Sequence, residues 1–357
     1  MKLQSYHTFW QRIHKDAKSK GFPLRVMFEL TYRCNFYCRH CYVPQSYRDY
    51  SELKTKEAFS ILDQLADIGC FYLGFTGGEP FTREDILDIL WYAKKAGFEI
   101  IIYTNGSLID EEIAKELSRL RPNKVDITLP GMSITAFERI SRVSGSRDKV
   151  FEAIDLLHKK GVALGFKSCV LKENEKEISQ IQDFARSLGA LHRLDNMLLP
   201  CLDGAKEPFK YRGSLDSSGS LNSFSSSDKG CDLGTEYQLR NTANPTELTN
   251  PTKITNLFKC GVGMSQVAIT PSGELKMCLM IDYPKYKILE TSLKDAWQRL
   301  KDLVSHIKPD DNYRCDKCKL LPFCKWCPAR GWLYKRIFTS CEPESRVFAE
   351  DRRERMQ

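Results

Sequence analysis

Three cysteines lie within eight residues near the start of the chain, in the stretch LTYRCNFYCRHCYVP (30–44). Cys34, Cys38 and Cys41, here called the early triad, follow the spacing Cys-x3-Cys-x2-Cys, and the next cysteine is Cys70. A structural zinc site or an ordinary iron–sulfur cluster takes four protein ligands. Three neighbouring thiols therefore predict either a distant fourth ligand or a coordination position that stays open for chemistry.

The other cysteines strengthen a metal-binding interpretation. The chain has fourteen cysteines, and its start, MKLQSYHTFWQRIHKDAKSK, has no apolar core of an export signal. We therefore expect a cytoplasmic protein, in which thiols stay reduced and bind metal rather than form disulfides. A second group lies late in the chain and consists of Cys260, Cys278, Cys315, Cys318, Cys324, Cys327 and Cys341.

Composition excludes several classes of protein. With 42% hydrophobic and 28% charged residues, and no apolar run near the roughly 20 residues of a membrane span, we expect a globular protein without a membrane partner. The net charge of +8 comes from 54 basic and 46 acidic residues that are interspersed. No basic block points to nucleic acid, and an acidic peptide or another anionic substrate fits equally well.

Strand-like runs alternate with amphipathic helical patterns over the first 200 residues, which predicts a parallel sheet. Six units of this kind can curl into an incomplete barrel, with the active site at the carboxyl ends of the strands. Thr82 followed by Asp85 resembles a capping box and predicts a helix from about residue 82. The predicted strands are 24–30, 71–76, 98–104, 124–129, 162–170 and 191–199.

The pattern changes after Pro200. The stretch SLDSSGSLNSFSSS (214–227) has eight serines in fourteen residues, which predicts a flexible linker or mobile insert over 201–255. A hairpin that turns at Ser272-Gly273 and a helix over 291–305 are expected to follow.

The early triad after a first strand closely resembles the hallmark of the radical S-adenosylmethionine (radical SAM) superfamily. The resemblance implies that these cysteines bind three irons of a 4Fe-4S cluster whose fourth iron binds S-adenosylmethionine. One electron would then cleave this cofactor to a 5′-deoxyadenosyl radical that takes hydrogen from a substrate. His40 fits an aromatic position often seen in that family. A zinc site completed from elsewhere is the alternative.

A glycine pair follows the second predicted strand, in FTGGEPF (75–81). Taken alone, Gly77 and Gly78 indicate a tight strand-to-helix turn. In the resembling family, a turn of this sequence holds the methionine amino group of S-adenosylmethionine, which implies that role for Gly77, Gly78, Glu79 and Pro80. Glu79 would add negative charge near the ligand ammonium group.

Three further residues are candidate cofactor contacts. Thr104 and Asn105 end the third predicted strand, and Thr128 lies near the end of the fourth. The resembling enzymes place a polar residue near Thr128 for the ribose hydroxyls. The alternative is that Asn105 and Gly106 only shape a turn.

The late cysteines closely resemble the SPASM domain, which binds two auxiliary 4Fe-4S clusters in relatives. They follow the order Cys-x12-Gly-x4-Cys, then Cys-x2-Cys-x5-Cys-x2-Cys and a final cysteine, although the family usually has three residues before the sixth. The resemblance implies two ligand sets: a late quartet of Cys315, Cys318, Cys324 and Cys341, and a late trio of Cys260, Cys278 and Cys327. Cys201, Cys231, a non-cysteine side chain or substrate could complete the trio. A zinc ribbon is the alternative.

We therefore expect an α/β protein, with a partial (β/α)6 radical SAM barrel followed by a small cysteine-rich SPASM domain. The predicted parts are an N-terminal helix (1–21), the radical SAM core (22–200), the insert (201–255), the SPASM domain (256–345) and a tail (346–357).

The leading hypothesis for function is a radical SAM oxidoreductase that modifies or cross-links a peptide or protein, that is, a ribosomal peptide maturase. It would need a low-potential electron donor such as flavodoxin or ferredoxin. About two dozen residues precede the first strand, so recognition of a leader peptide would need a separate leader-binding protein or the insert. The alternatives are a haem-pathway decarboxylase or other small-molecule radical SAM enzyme, and a non-enzymatic iron–sulfur electron carrier. Asp126 and Asp195 are candidate bases.

Overall fold

The computed structural model describes residues 6–195, 197–213, 257–258, 260–311, 313–324 and 326–355. The predicted serine-rich stretch and Cys231 lie outside these residues. The described strands are β1 (Arg25–Thr31), β2 (Tyr72–Gly77), β3 (Glu99–Thr104), β4 (Lys124–Thr128), β5 (Leu164–Cys169), β6 (Leu191–Asp195), β7 (Gln266–Ile269), β8 (Glu274–Lys276) and β9 (Tyr286–Lys287). They form one sheet in the order β6-β5-β4-β3-β2-β1-β7-β8-β9.

Helices connect the first six strands, which all pair in parallel. The described helices are α1 (Tyr6–Lys20), α2 (Thr55–Asp67), α3 (Ile86–Lys95), α4 (Glu111–Leu120), α5 (Ile134–Ser141), α6 (Ser146–Lys159), α7 (Ile178–Ser187), α8 (Ile288–Thr291), α9 (Leu293–His306), α10 (Pro328–Lys335) and α11 (Pro343–Arg355). The predicted α/β fold with a parallel sheet is confirmed. No described helix combines the length and the apolar character that crossing a membrane requires.

Side chains along β1 point alternately to the two faces of the sheet. Val26, Phe28 and Leu30 are buried in the main hydrophobic core, as the period of two along a strand predicts. Glu29 and Thr31 have the intervening positions and are also buried. Polar side chains therefore lie on the face opposite the main core, close to the carboxyl end of the strand.

The C-terminal hairpin continues the sheet of the core. β7 pairs in parallel with β1, from Arg25 opposite Gln266 to Phe28 opposite Ile269. Lys276 on β8 extends its ammonium group to the Glu29 carboxylate, at 2.7 Å, and both side chains are at most 2% exposed. The Tyr32 hydroxyl donates to the same carboxylate at 3.0 Å. A buried ion pair therefore joins the first strand of the core to the C-terminal hairpin.

Two predicted boundaries are wrong. Residues 80–82 form a 3-10 turn and α3 begins at Ile86, because Asp85 accepts hydrogen bonds from Arg83 and Thr55 rather than capping the helix. The sixth strand ends at Asp195 instead of residue 199. There the Asp195 side chain accepts a hydrogen bond from the Met197 N–H at 3.0 Å, which turns the chain away from the sheet.

The buried ion pair gives the first test. Replacing Lys276 with Met leaves the Glu29 carboxylate buried without its cation, so we expect the free energy of unfolding to fall by about 3 to 5 kcal/mol. Anaerobic urea unfolding followed by circular dichroism measures it. Lys287→Met is the matched control, because its partner Glu290 lies on the surface and both side chains are over 60% exposed. The control should change stability by less than about 0.5 kcal/mol. Equal losses in the two variants would contradict the proposed importance of the buried pair.

Candidate functional site

The early triad lies on the loop between β1 and the 3-10 helix Gln45–Asp49. Burial raises the pKa of Cys38 well above its ordinary value, and the nearby thiolates of Cys41 and Cys34 raise it further. Arg48 fixes the loop, because its guanidinium donates to the carbonyl oxygens of Cys34, at 2.7 Å, and of Phe36. The structure therefore brings the three predicted ligands together, and Arg48 is a residue that sequence reasoning missed.

The glycine turn packs directly on the backbone of this loop. A Cβ atom on Gly77, whose φ is +141°, would lie 2.0 Å from the carbonyl oxygen of Thr31, and one on Gly78 would lie 2.2 Å from that of Arg33. The Gly78 N–H donates to the carbonyl oxygen of Thr31 at 2.7 Å, and the Glu79 N–H donates to the carbonyl oxygen of Arg33 at 2.8 Å. Only glycine allows so close an approach.

Glu79 is fully buried and points toward the end of β3. Its carboxylate accepts hydrogen bonds from the Thr104 hydroxyl at 2.7 Å, the Asn105 N–H at 2.6 Å and the Phe81 N–H at 3.1 Å. Burial raises the pKa of Glu79 to about 7, and these hydrogen bonds act in the opposite direction. Glu79 therefore connects the turn after β2 to the end of β3. Pro80 starts the short 3-10 helix that follows.

A second carboxylate clamps the start of the triad loop. Arg33 donates to Glu52 from two nitrogens, at 3.0 and 2.8 Å, and the Thr31 hydroxyl donates to the same carboxylate. Arg83 lies 3.5 Å from Glu52 and donates to the Leu30 carbonyl at 3.2 Å. Sequence reasoning missed Glu52 and Arg83, because no local motif marks either residue.

Several predicted residues converge near the carboxyl ends of β4, β5 and β6. Thr128 lies opposite Lys167 in the sheet. Burial lowers the pKa of His40 to about 4, the positive charge of Lys167 contributes, and Asp195 opposes the shift. Among the described residues, none forms a hydrogen bond with the buried Nδ1 atom of His40. The second candidate base, Asp126, is buried and paired with Lys124 at 3.1 Å.

Two further cysteines lie near Cys41. The Cys201 thiol donates to the Cys41 carbonyl at 3.6 Å. Burial is the main cause that raises the pKa of Cys169 to about 12. The negative charge of Asp195 is the next contribution, and Cys41 makes a smaller one. Cys169 also packs against a small hydrophobic cluster and Cys70 is buried, so both fit buried thiols that the sequence does not place among the ligands.

The late cysteines lie near one another in two groups. Burial raises the pKa of Cys315 to about 12, and the other three members of the late quartet, Cys324, Cys341 and Cys318, raise it further. Burial likewise raises the pKa of Cys278 to about 12, and the other two members of the late trio, Cys260 and Cys327, contribute. Cys327 therefore lies with the trio, despite the shortened spacing before it.

The part of the chain that the structure describes contains no group of three His, Cys, Asp or Glu side chains placed to hold a metal ion. Thiolates on one zinc ion must lie within roughly 4 Å of each other, since each Zn–S bond is about 2.3 Å. The irons of a 4Fe-4S cluster are each bound by a different cysteine, so the sulfurs lie farther apart.

Comparison with known proteins identifies the core. Residues 28–185 match the model of the Radical SAM superfamily. This part of the chain is a radical SAM domain, as its sequence predicted.

Individual relatives cover different shares of the chain. It is 32% identical to the Fe-coproporphyrin III synthase of Methanosarcina barkeri over 44% of this chain and 40% of that protein. It is 25% identical to the mycofactocin maturase MftC of Mycolicibacterium smegmatis over 89% of this chain and 80% of that protein. The first curated relatives that it matches are covered over only 40 to 49% of their length.

A solved structure has a similar fold over most of the chain. The structure of Streptococcus suis SuiB bound to the precursor peptide SuiA has a TM-score of 0.68, at 18% identity, over 96% of this chain and 82% of that one. This similarity confirms the fold beyond the matched radical SAM domain.

The buried carboxyl of Glu79 predicts how the free energy of unfolding depends on pH. Folding raises its pKa from 4.5 to about 7, so the folded chain keeps the proton that the unfolded chain releases in this range. The stability from Glu79 is therefore complete below pH 4.5 and falls by about 1.4 kcal/mol per pH unit up to pH 7. Glu79→Gln should remove this decline, whereas Glu112→Gln on the exposed side of α4 should keep it. Urea unfolding of the cofactor-free chains between pH 5 and 8 measures the slopes, and parallel slopes for Glu79→Gln and wild type would contradict this assignment.

Proposed function

We propose that the chain is a radical SAM enzyme that modifies a peptide, with the early triad binding a 4Fe-4S cluster whose open iron takes S-adenosylmethionine. The observation that carries this proposal is the contact between the triad loop and the glycine turn, which brings a three-thiol group and a ligand-binding backbone together. When bound, the cluster supplies the electron that cleaves S-adenosylmethionine to a 5′-deoxyadenosyl radical.

The residues around the early triad have distinct roles in this proposal. Gly77 and Gly78 bring the turn close to the loop, and no backbone N–H of the described loops and turns donates to the Gly78 carbonyl, which suits a ligand ammonium group. Glu79 holds the turn in place and adds negative charge when ionised. Thr128 and His40, at the ends of β4 and the triad loop, bind the rest of the cofactor.

The late cysteines bind auxiliary clusters in the same proposal. The late quartet supplies four thiolates, which complete one 4Fe-4S cluster. The late trio supplies three, and its members lie before β7, after β8 and before α10. Cys201 donates to the Cys41 carbonyl, so its position favours another source for the fourth ligand of the trio.

A peptide substrate is supported by the relatives that extend over the longest part of the chain. The mycofactocin maturase is named for maturation, and the SuiB structure holds a precursor peptide. We propose that this chain likewise binds a peptide at the carboxyl ends of the strands. A separate leader-binding protein and a flavodoxin or ferredoxin that donates the electron complete the proposed reaction.

A second candidate is a small-molecule reaction on a tetrapyrrole. The Fe-coproporphyrin III synthase of Methanosarcina barkeri favours it, and so does similarity to haem synthases. Under this alternative the early triad and the glycine turn keep their roles, and only the substrate differs.

Iron content tests the cluster assignments. Anaerobically reconstituted protein should contain on the order of 12 irons per chain, and replacement of Cys34, Cys38 and Cys41 together by Ala should remove about four. That variant should stay brown but form no 5′-deoxyadenosine from S-adenosylmethionine. Cys70→Ala is the matched control, because Cys70 is buried and belongs neither to the early triad nor to the late cysteines. This variant should keep all the iron. Cofactor cleavage by the triple variant, or stoichiometric zinc in the wild-type protein, would refute the assignment.

Substrate class is tested by mass spectrometry. Reduced enzyme is incubated without oxygen with S-adenosylmethionine and either peptides encoded beside its gene or an iron coproporphyrin. We expect a peptide to lose two hydrogens per modification, with one 5′-deoxyadenosine formed each time. Loss of carbon dioxide from the porphyrin, with no change in any peptide, would favour the second candidate instead.

A further inference from the structure

We propose that Asn105 is a positioning residue for the early cluster, which donates a hydrogen bond to the sulfur of Cys34 and thereby raises the reduction potential of the cluster. This inference rests on the proposed function, because it requires a cluster on the early triad. It assigns to Asn105 a role toward a cluster ligand rather than the contact with S-adenosylmethionine expected from its motif.

The side-chain amide of Asn105 lies between two loops. Its Nδ2 atom is 2.8 Å from Asn35 Oδ1 and 3.9 Å from Cys34 Sγ, within the range of a hydrogen bond to sulfur. Its Oδ1 atom accepts from the Ser107 N–H at 2.9 Å and from the Ser107 hydroxyl at 2.7 Å. Because a backbone N–H can only donate, the atom that faces it is the amide oxygen, and the NH2 group must face Cys34 and Asn35.

All the hydrogen-bonding capacity of this side chain is used inside the protein. An asparagine amide has two donor hydrogens and two acceptor lone pairs. Here the hydrogens go to Cys34 and Asn35, and both lone pairs face Ser107. The side chain therefore has no remaining donor or acceptor for the cofactor, which favours an action through Cys34.

The position of this amide is fixed on each side. The Asn105 backbone N–H donates to Glu79 at 2.6 Å, which joins it to the glycine turn. Asn35 in turn donates to the Ser107 hydroxyl at 2.8 Å, which closes a ring of hydrogen bonds between the triad loop and the loop after β3. A donor held in this way keeps its direction toward the sulfur when the charge on the sulfur changes.

The expected electrostatic effect has a definite sign. Reduction adds negative charge to a cluster and its thiolates, and a hydrogen-bond donor that points at a ligand sulfur stabilises that charge. The Phe36 N–H donates to the same sulfur at 3.4 Å. Loss of the Asn105 donor should therefore leave the cluster in place but make it harder to reduce.

The experiment is a redox titration of the anaerobic holoenzyme. The midpoint potential is measured for the electron paramagnetic resonance signal that changes when S-adenosylmethionine is added, which separates the early cluster from the late ones. Asn105→Ala removes the donor, and Asn105→Asp replaces it with an acceptor that carries negative charge. We expect the potential to become more negative in the order wild type, Asn105→Ala, Asn105→Asp, at unchanged iron content.

Ser107→Ala is the matched control. It removes the hydroxyl that bonds to both amides but leaves the Asn105 donor to Cys34, so the potential should remain close to that of the wild type. A purely structural role of the hydrogen-bonded ring would shift Ser107→Ala and Asn105→Ala alike, and would overturn the inference.

A measurement on the wild type covers the case in which the Asn105 variants lose iron. Protein labelled with 15N in its asparagine residues should show a weak 15N coupling to the reduced early cluster by pulsed resonance. Absence of that coupling, or equal potentials in wild type and both Asn105 variants, would overturn the inference. Absence of any signal that responds to S-adenosylmethionine in the wild type would refute the proposed function instead.

Discussion

The site depends on a contact between two pieces of backbone. The turn after β2 lies so close to the loop after β1 that a Cβ atom on Gly77 or Gly78 would collide with a carbonyl oxygen at about 2 Å. Because β1 and β2 are adjacent parallel strands, their carboxyl ends meet at one edge of the sheet, and the two following segments can bond to each other. Glycine at these positions thus places the turn beside the early triad. Glu79 extends the same arrangement to the end of β3 through Thr104 and Asn105.

The C-terminal hairpin makes the position of the late trio part of the same framework. β7 lies next to β1, and the Lys276–Glu29 ion pair fixes β8 two residues before Cys278. Tyr42, which follows Cys41, is buried near a member of each group of cysteines, Cys41 and Cys278. Burial raises its pKa, and Glu29, Cys41 and Cys278 all contribute to the shift. The separation between the proposed early and auxiliary clusters is therefore set by a continuous sheet rather than by a linker.

Local patterns predicted the elements well and their polar connections poorly. All six strands of the core begin within two residues of their predicted starts, because each has an apolar run bounded by turn residues. The glycine turn and the early triad were found from short motifs. Glu52, Arg83 and the hydrogen bond from Asn105 to Cys34 were not found from such motifs. Their contacts with the triad loop and the end of β1 join residues 19 to 71 positions apart, and the register of neighbouring strands brings them together. The same reason explains Lys276, whose sequence surroundings show no sign of a buried partner on β1.

The surplus of thiols near Cys41 shows why backbone geometry must select the ligands. Cys169 ends β5 and Cys201 follows β6, and the Cys201 thiol donates to the Cys41 carbonyl. The cysteines of the early triad instead share one loop, which Arg48 and Glu52 hold from two sides. More thiols therefore lie near Cys41 than the three proposed ligands of the early cluster, whose fourth position the proposal assigns to S-adenosylmethionine.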